Sequence, residues 1–109
     1  MICRIWHGWT TTENSHRYEE IVRGEVIPAI EARDIPGFLA IDLVRRPVPN
    51  GYEFATIMWF TGTDSVKAFA GEDYEVAHVP ERAREVLSHF DARATHFDVI
   101  DRRQQRPST

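Results

Sequence analysis

The side chains of this 109-residue chain that can do chemistry include five histidines, three tryptophans and three tyrosines, and their spacing singles out one stretch. From Ile57 an apolar strand runs through Met58 to Trp59-Phe60 and on into Thr61-Gly62-Thr63-Asp64. A short amphipathic helix with Phe69 near its end follows. Gly71 stops that helix, and Tyr74 and then Ala77-His78 come next. A phenol and an imidazole are thereby returned toward the end of a strand that has no polar face. Imidazole exchanges protons near neutral pH, so His78 is a candidate base or ligand. Its ordinary alternative is a solvated turn residue or a cap on a carbonyl. Tyr74 either packs or points its hydroxyl into a cavity. Trp59 is either a pocket wall or core.

A second constellation lies at the chain ends. His7 sits between Trp6 and Trp9 in the first strand, and His96 sits in the last. Matching the midpoints of two antiparallel neighbours puts His7 opposite His96, an arrangement fit for an acid/base pair or two metal ligands. The plainer reading is a pair of hydrogen-bonded core or edge histidines. Arg4 interrupts the same apolar strand. A buried guanidinium without a partner is costly, so Arg4 needs an acid or a wet cavity. Asp42 and Asp98 are its candidate partners. His16 and His89 sit among polar groups and take no role.

Composition narrows the class. Net charge is −4 and basic residues are interspersed with acids, which argues against a nucleic-acid surface. Arg102, Arg103 and Arg106 cluster, but in a polar tail over 102–109 expected to be disordered. The single cysteine, Cys3, cannot form an internal disulfide. No apolar run reaches membrane-spanning length. Arg4, His7 and Gly8 break any signal-peptide pattern, so a cytoplasmic protein is expected. Dinucleotide and phosphate loops, His-Glu-x-x-His and Cys/His metal spacings are absent.

The elements that must position these residues follow in the order β-α-β-β-α-β. Strand one covers Ile2 to about Thr10. Thr10 with Glu13 resembles a capping box opening a helix with Tyr18, Ile21, Val22, Val26, Ala29 and Ile30 on one face. Pro28 inside that pattern predicts a kink or an early stop. Strands Phe38–Arg45 and Tyr52–Phe60 form a hairpin across a Pro- and Gly-rich turn. Helix two spans about Asp64 to Ala70. Helix three starts at Pro80 and presents Ala83, Val86, Leu87 and Phe90 on one side. Strand four covers Arg93 to Ile100. The whole is one α+β domain over 1–101. It is ferredoxin-like, a four-stranded antiparallel sheet with helices on one face. Strands two and three do not alternate apolar and polar, so their second face needs a cover. A homodimer through that face is the economical answer.

The segments Ile2 to Trp9, Ile57-Met58-Trp59-Phe60, Asp64-Ser65-x-x-x-Phe69 and Asp73-Tyr74-x-x-Ala77-His78 carry a resemblance. Over nearly its whole length the chain resembles the antibiotic biosynthesis monooxygenase family of dimeric α+β barrels. The resemblance implies a homodimer with a pocket between each sheet and its own helices. It implies either oxygenation of planar aromatic or polyketide-like molecules without a cofactor, or oxidative haem breakdown. Haem-degrading members use an Asn in strand one, a Trp in helix two and the His after it. His78 matches the last, while His7 and Ala68 stand where Asn and Trp are expected. The expectation is therefore a cofactor-independent monooxygenase. His78 or His7 is its base, and Trp59, Tyr74, His96, Phe69 and Trp9 line its site. Binding of haem or another small ligand without this catalysis is the alternative.

Overall fold

Helices cover one face of an antiparallel sheet in the computed structural model, which describes residues 1–107. Ser108 and Thr109, the end of the tail expected over 102–109, lie outside the described residues. β1 (Ile2–Thr11) is the central strand, and its length comes from its β-branched and aromatic residues. On one side it pairs with β3 (Gly51–Phe60), which in turn pairs with β2 (Phe38–Val48). The β2–β3 hairpin turns at Pro49-Asn50. Gly51 then enters β3 at φ 153°, where a Cβ would strike the Thr10 carbonyl.

The expected fourth strand, Arg93 to Ile100, shortens to Thr95–Asp98, and a two-residue strand forms where the third helix was expected, so the sheet has five strands. β4 (His89–Phe90) pairs with Gly8 and Trp9, and β5 (Thr95–Asp98) pairs with Ile2 to Ile5. The intervening residues have taken other partners. Ala77 N–H donates to the Ala92 carbonyl at 3.0 Å, and Ala94 N–H to the Glu75 carbonyl at 2.7 Å. Helix three is accordingly a single turn, α4 (Glu81–Arg84), and Phe90 lies on a strand.

The first helix starts one residue later than its sequence signal. Thr11, not Thr10, is the cap, and its hydroxyl oxygen accepts from the Asn14 N–H at 3.2 Å. α1 (Thr12–Ile21) runs into a wider π turn over Val22–Val26 and then into α2 (Ile27–Glu31). Pro28 neither stops the rod nor breaks it. Proline has no N–H to give the carbonyl of Gly24, and the π turn accommodates this just upstream. There the Ile27 N–H reaches back five residues to the Val22 carbonyl. α3 (Thr63–Ala70) ends at Gly71, whose φ of 93° stops the helix as expected.

Two apolar clusters join helices to sheet. Tyr18, Ile21 and Val22 pack on Phe54 and Ala83, with the Tyr18 and Phe54 rings 4.8 Å apart. Met58, Phe60 and Val66 form the second cluster. Burying each such side chain stabilises the fold by about 1.5–3 kcal/mol.

Strand alternation sorts the remaining residues. Arg4, Trp6, Thr56 and Met58 face the helices. Cys3, Ile5, His7, Trp9, Ile57 and Trp59 alternate with them on the other face. Helices leave that second face open, and the Arg102 guanidinium lies 4.5 Å over the Trp59 ring there. Leu39, Val44 and Phe97 are among its chain's exposed large apolar residues.

Candidate functional site

The helix-covered face holds a narrow cavity of about 90 Å³, room for about three waters at their liquid volume. Val22, Val26 and Ile27 at and after the π turn form one wall, and Trp6, Thr56 and Met58 form the other. Phe69 and His78 close it. An outer cleft of about 750 Å³ shares Val26, Ile30, Phe69, His78 and Pro80 with it. These shared residues form a neck between an inner apolar slot and a wider vestibule.

His78 stands at that neck. The segment after α3 carries it there, because Gly71 reverses the chain and Ala77 is tied to Ala92. Its Nε2 lies 3.0 Å from the carbonyl of Ala70, which only an Nε2–H can satisfy. In the neutral ring this leaves the lone pair on Nδ1. The rest of the ring is exposed toward the vestibule.

Arg4 lies deeper. It is 5% exposed, and its guanidinium donates to the carbonyl of Tyr74 and lies 3.5 Å from that of Val76. The same group lies 3.0 Å from His96 Nε2 and 5.3 Å from the centre of the Phe69 ring. Burial lowers the Arg4 pKa. Burial first, then the Arg4 charge, also holds His96 below the ordinary histidine value, so its imidazole stays neutral. Accepting from Arg4 at Nε2 puts the His96 proton on Nδ1, a buried atom with no partner among the described residues.

Not every expected site residue meets this cavity. Phe69 and His78 do. Tyr74 packs beside it, turning its ring edge-on to His96 at 5.1 Å, and both line a separate surface cleft along β5. His7 does not pair with His96. The register sets His96 opposite Arg4, three residues away. His7 lies on the open face, with Nδ1 2.8 Å from an Asp91 carboxylate oxygen. Trp9 shares that face and stacks on His89 at 4.4 Å. Trp59 is there too, its indole N–H donating to Asp42 at 3.1 Å. His7, Trp9 and Trp59 are therefore outside the cavity, because each is one strand position away from the residues that line it. Asp42 is consequently no partner for Arg4, and Asp98 pairs opposite Ile2. Arg4 itself was visible in the sequence as a charge inside an apolar strand.

No family profile and no curated protein matches the sequence. Solved structures do match the fold. A Bacillus cereus protein assigned as an antibiotic biosynthesis monooxygenase superposes with a TM-score of 0.66 at 12% identity, over 98% of each chain. The monooxygenase from the gene ActVA-Orf6 of Streptomyces coelicolor, solved in complex with nanaomycin D, gives 0.60 at 17% identity. That match covers 98% of this chain and 92% of the other. The chain has the fold of the antibiotic biosynthesis monooxygenases. Among the described residues no helix is long and apolar enough to cross a membrane, and no cluster of three metal-ligating side chains occurs.

Proposed function

We propose that this protein is a cofactor-independent monooxygenase acting on a planar aromatic or polyketide-like phenol, with His78 as the base. The observation that carries this is the neck. The imidazole of His78 stands between a narrow apolar slot that takes the edge of a planar molecule and a vestibule that admits the rest of it. Fold neighbours named as monooxygenases, one solved in complex with nanaomycin D, support the same reading.

In this reading His78 Nδ1 takes the phenol proton. The electron-rich phenolate then gives electrons to dioxygen, and a peroxide forms at a ring carbon. Loss of water leaves a quinone. One oxygen atom enters the ring and the other leaves as water, so phenol plus dioxygen balances quinone plus water. The substrate itself supplies both electrons. Apolar walls around the slot exclude bulk water from the anion.

Haem suits the cavity less well. The inner slot is too small for a porphyrin, and the His78 Nε2 is engaged by Ala70. A homodimer through the open face is part of the proposal. The chain exposes 7239 Å², against about 6,200 Å² for a compact monomer of its mass. Its extents of 42 × 37 × 23 Å describe a slab with one uncovered side.

Labelled dioxygen tests the reaction. With hydroxylated naphthalenes and anthrones, and a chelator present, one labelled oxygen atom should enter the product. His78→Ala should slow this by about a hundredfold. Turnover that needs added flavin, metal or haem, or that ignores His78→Ala, overturns the proposal.

A further inference from the structure

Arg4 carries a charge that nothing in the described chain neutralises. It takes part in none of the ion pairs. Its partners are two carbonyls and a neutral imidazole. A guanidinium has five N–H donors, and these partners leave the Nε–H and one Nη2–H free. Burying such a charge without an acid is unfavourable, and an acceptor anion is the ordinary remedy. The buried, unpartnered Nδ1–H of His96 beside it is a further donor without an acceptor.

A second guanidinium, exposed at the vestibule, binds only carbonyls. Arg33 donates to the carbonyls of Ala68 and Phe69 at 3.1 and 3.2 Å and has no carboxylate partner. It lies 5.4 Å from the Phe69 ring centre, and Arg4 lies 5.3 Å from the same centre. Phe69 lines both the vestibule and the slot. The other charges at the vestibule mostly cancel. Arg82 pairs with Glu25 at 3.1 Å, Lys67 lies 3.7 Å from Glu72, and Glu81 is the remaining acid.

We propose that the cavity takes an anionic ligand, a planar aromatic carboxylate or an ionised hydroxyquinone, whose negative oxygen passes Arg33 and seats on Arg4. This rests on reading the cavity as the ligand site and gives that site a chemical preference. The walls supply apolar contact to the ring, and Arg4 holds the charge. A ligand acid seated there is held more acidic than in water, since the guanidinium favours its ionised form.

Binding is measured anaerobically on the full chain by calorimetry, so that turnover plays no part. Two matched pairs are used: naphthoate against naphthamide, and ionised hydroxynaphthoquinone against its neutral methyl ether. At least one anion should bind about tenfold or more tightly than its neutral twin. The pair with the larger preference identifies carboxylate or enolate as the group recognised. Arg4→Gln should erase the preference, and Arg4→Lys should keep part of it. If Arg4→Gln does not fold, the wild-type visible titration of bound hydroxynaphthoquinone decides, and it should move to lower pH. Equal binding of the twins, an unmoved titration, or a preference that survives Arg4→Gln overturns the inference. If none of the four binds, the ligand-site reading falls with it. If anions are preferred but no oxygen is consumed with any phenol, only the oxygenase reading falls.

Discussion

The two faces of the sheet are both apolar, yet they hold different chemistry. The helix-covered face gathers Arg4, Trp6, Thr56 and Met58 around a slot with His78 at its neck. The open face carries Ile57, Trp59 and Trp9, with histidines and acids tied to one another along its edge. Trp6 and His7 are chain neighbours, as are Met58 and Trp59, but each pair is divided between the faces. Hydrophobicity therefore marks where a strand is buried and not what it is buried for. The covered face needs a fold. The open face needs a cover.

The comparison breaks first if the covered face is not where stability resides. Phe54 is 1% exposed beneath Tyr18, and Phe54→Ala should cost about 3–5 kcal/mol in urea unfolding. A loss under about 1 kcal/mol would deny that this cluster is the core. Next comes the open face, where Ile57→Asp puts a charge at its centre. The chain should then sediment at half the wild-type mass, its dimer weakened by about a hundredfold or more, with the fold retained. A wild-type chain that is already monomeric at micromolar concentration ends the dimer reading. Third, His78→Ala should lower turnover of a responsive phenol by about a hundredfold while leaving the urea midpoint near that of wild type.

The pH dependence is a smaller effect. His96 is held neutral in the fold, so the unfolded chain binds its proton more readily. Stability is unaffected by this residue above about pH 6.5 and falls as pH drops below it. His96→Gln should flatten that part of the stability profile, measured by urea midpoints across it. An unchanged slope would mean that His96 protonates freely in the fold. The smallest effect is expected of His7→Gln. With its side chain outside the cavity, turnover should change by no more than about twofold. A loss matching that of His78→Ala would move the chemistry to the wrong face.

The sequence made the architecture readable because the strong signals were local. Gly71 as a helix stop and the hairpin of two long strands appear where the residues put them, though β2 runs on through Arg46 to Val48 and leaves only Pro49-Asn50 of the expected turn. What was not readable depended on register and competition. Midpoint matching set His7 against His96, but a three-residue slide places Arg4 there. Nothing in the sequence of 92–94 announces that it pairs with 75–77 and so delays the start of the last strand. Trp59 resembled a site residue because it ends the right strand, and alternation sends it to the other face. His78 and Phe69 were marked by their place after β3 and do reach the cavity, and Arg4 was marked by its misfit with Ile2, Ile5 and Trp6.

The π turn at Val22–Val26 ties the shape of the slot to the length of the chain. Val22, Val26 and Ile27 reach the cavity with the helix phase that this wide turn sets. Removing a single codon there, such as that of the exposed Gly24, would return the rod to ordinary α spacing. Val22 and Ile27 would then stand four residues apart and still share a face, so the helices on either side would stay nearly in phase. The wide turn would close by one residue, and the wall it forms would narrow without any substitution at the cavity. The width of the slot is thus open to change by insertion and deletion in the helix, a route by which a lineage can alter specificity while every cavity residue stays the same.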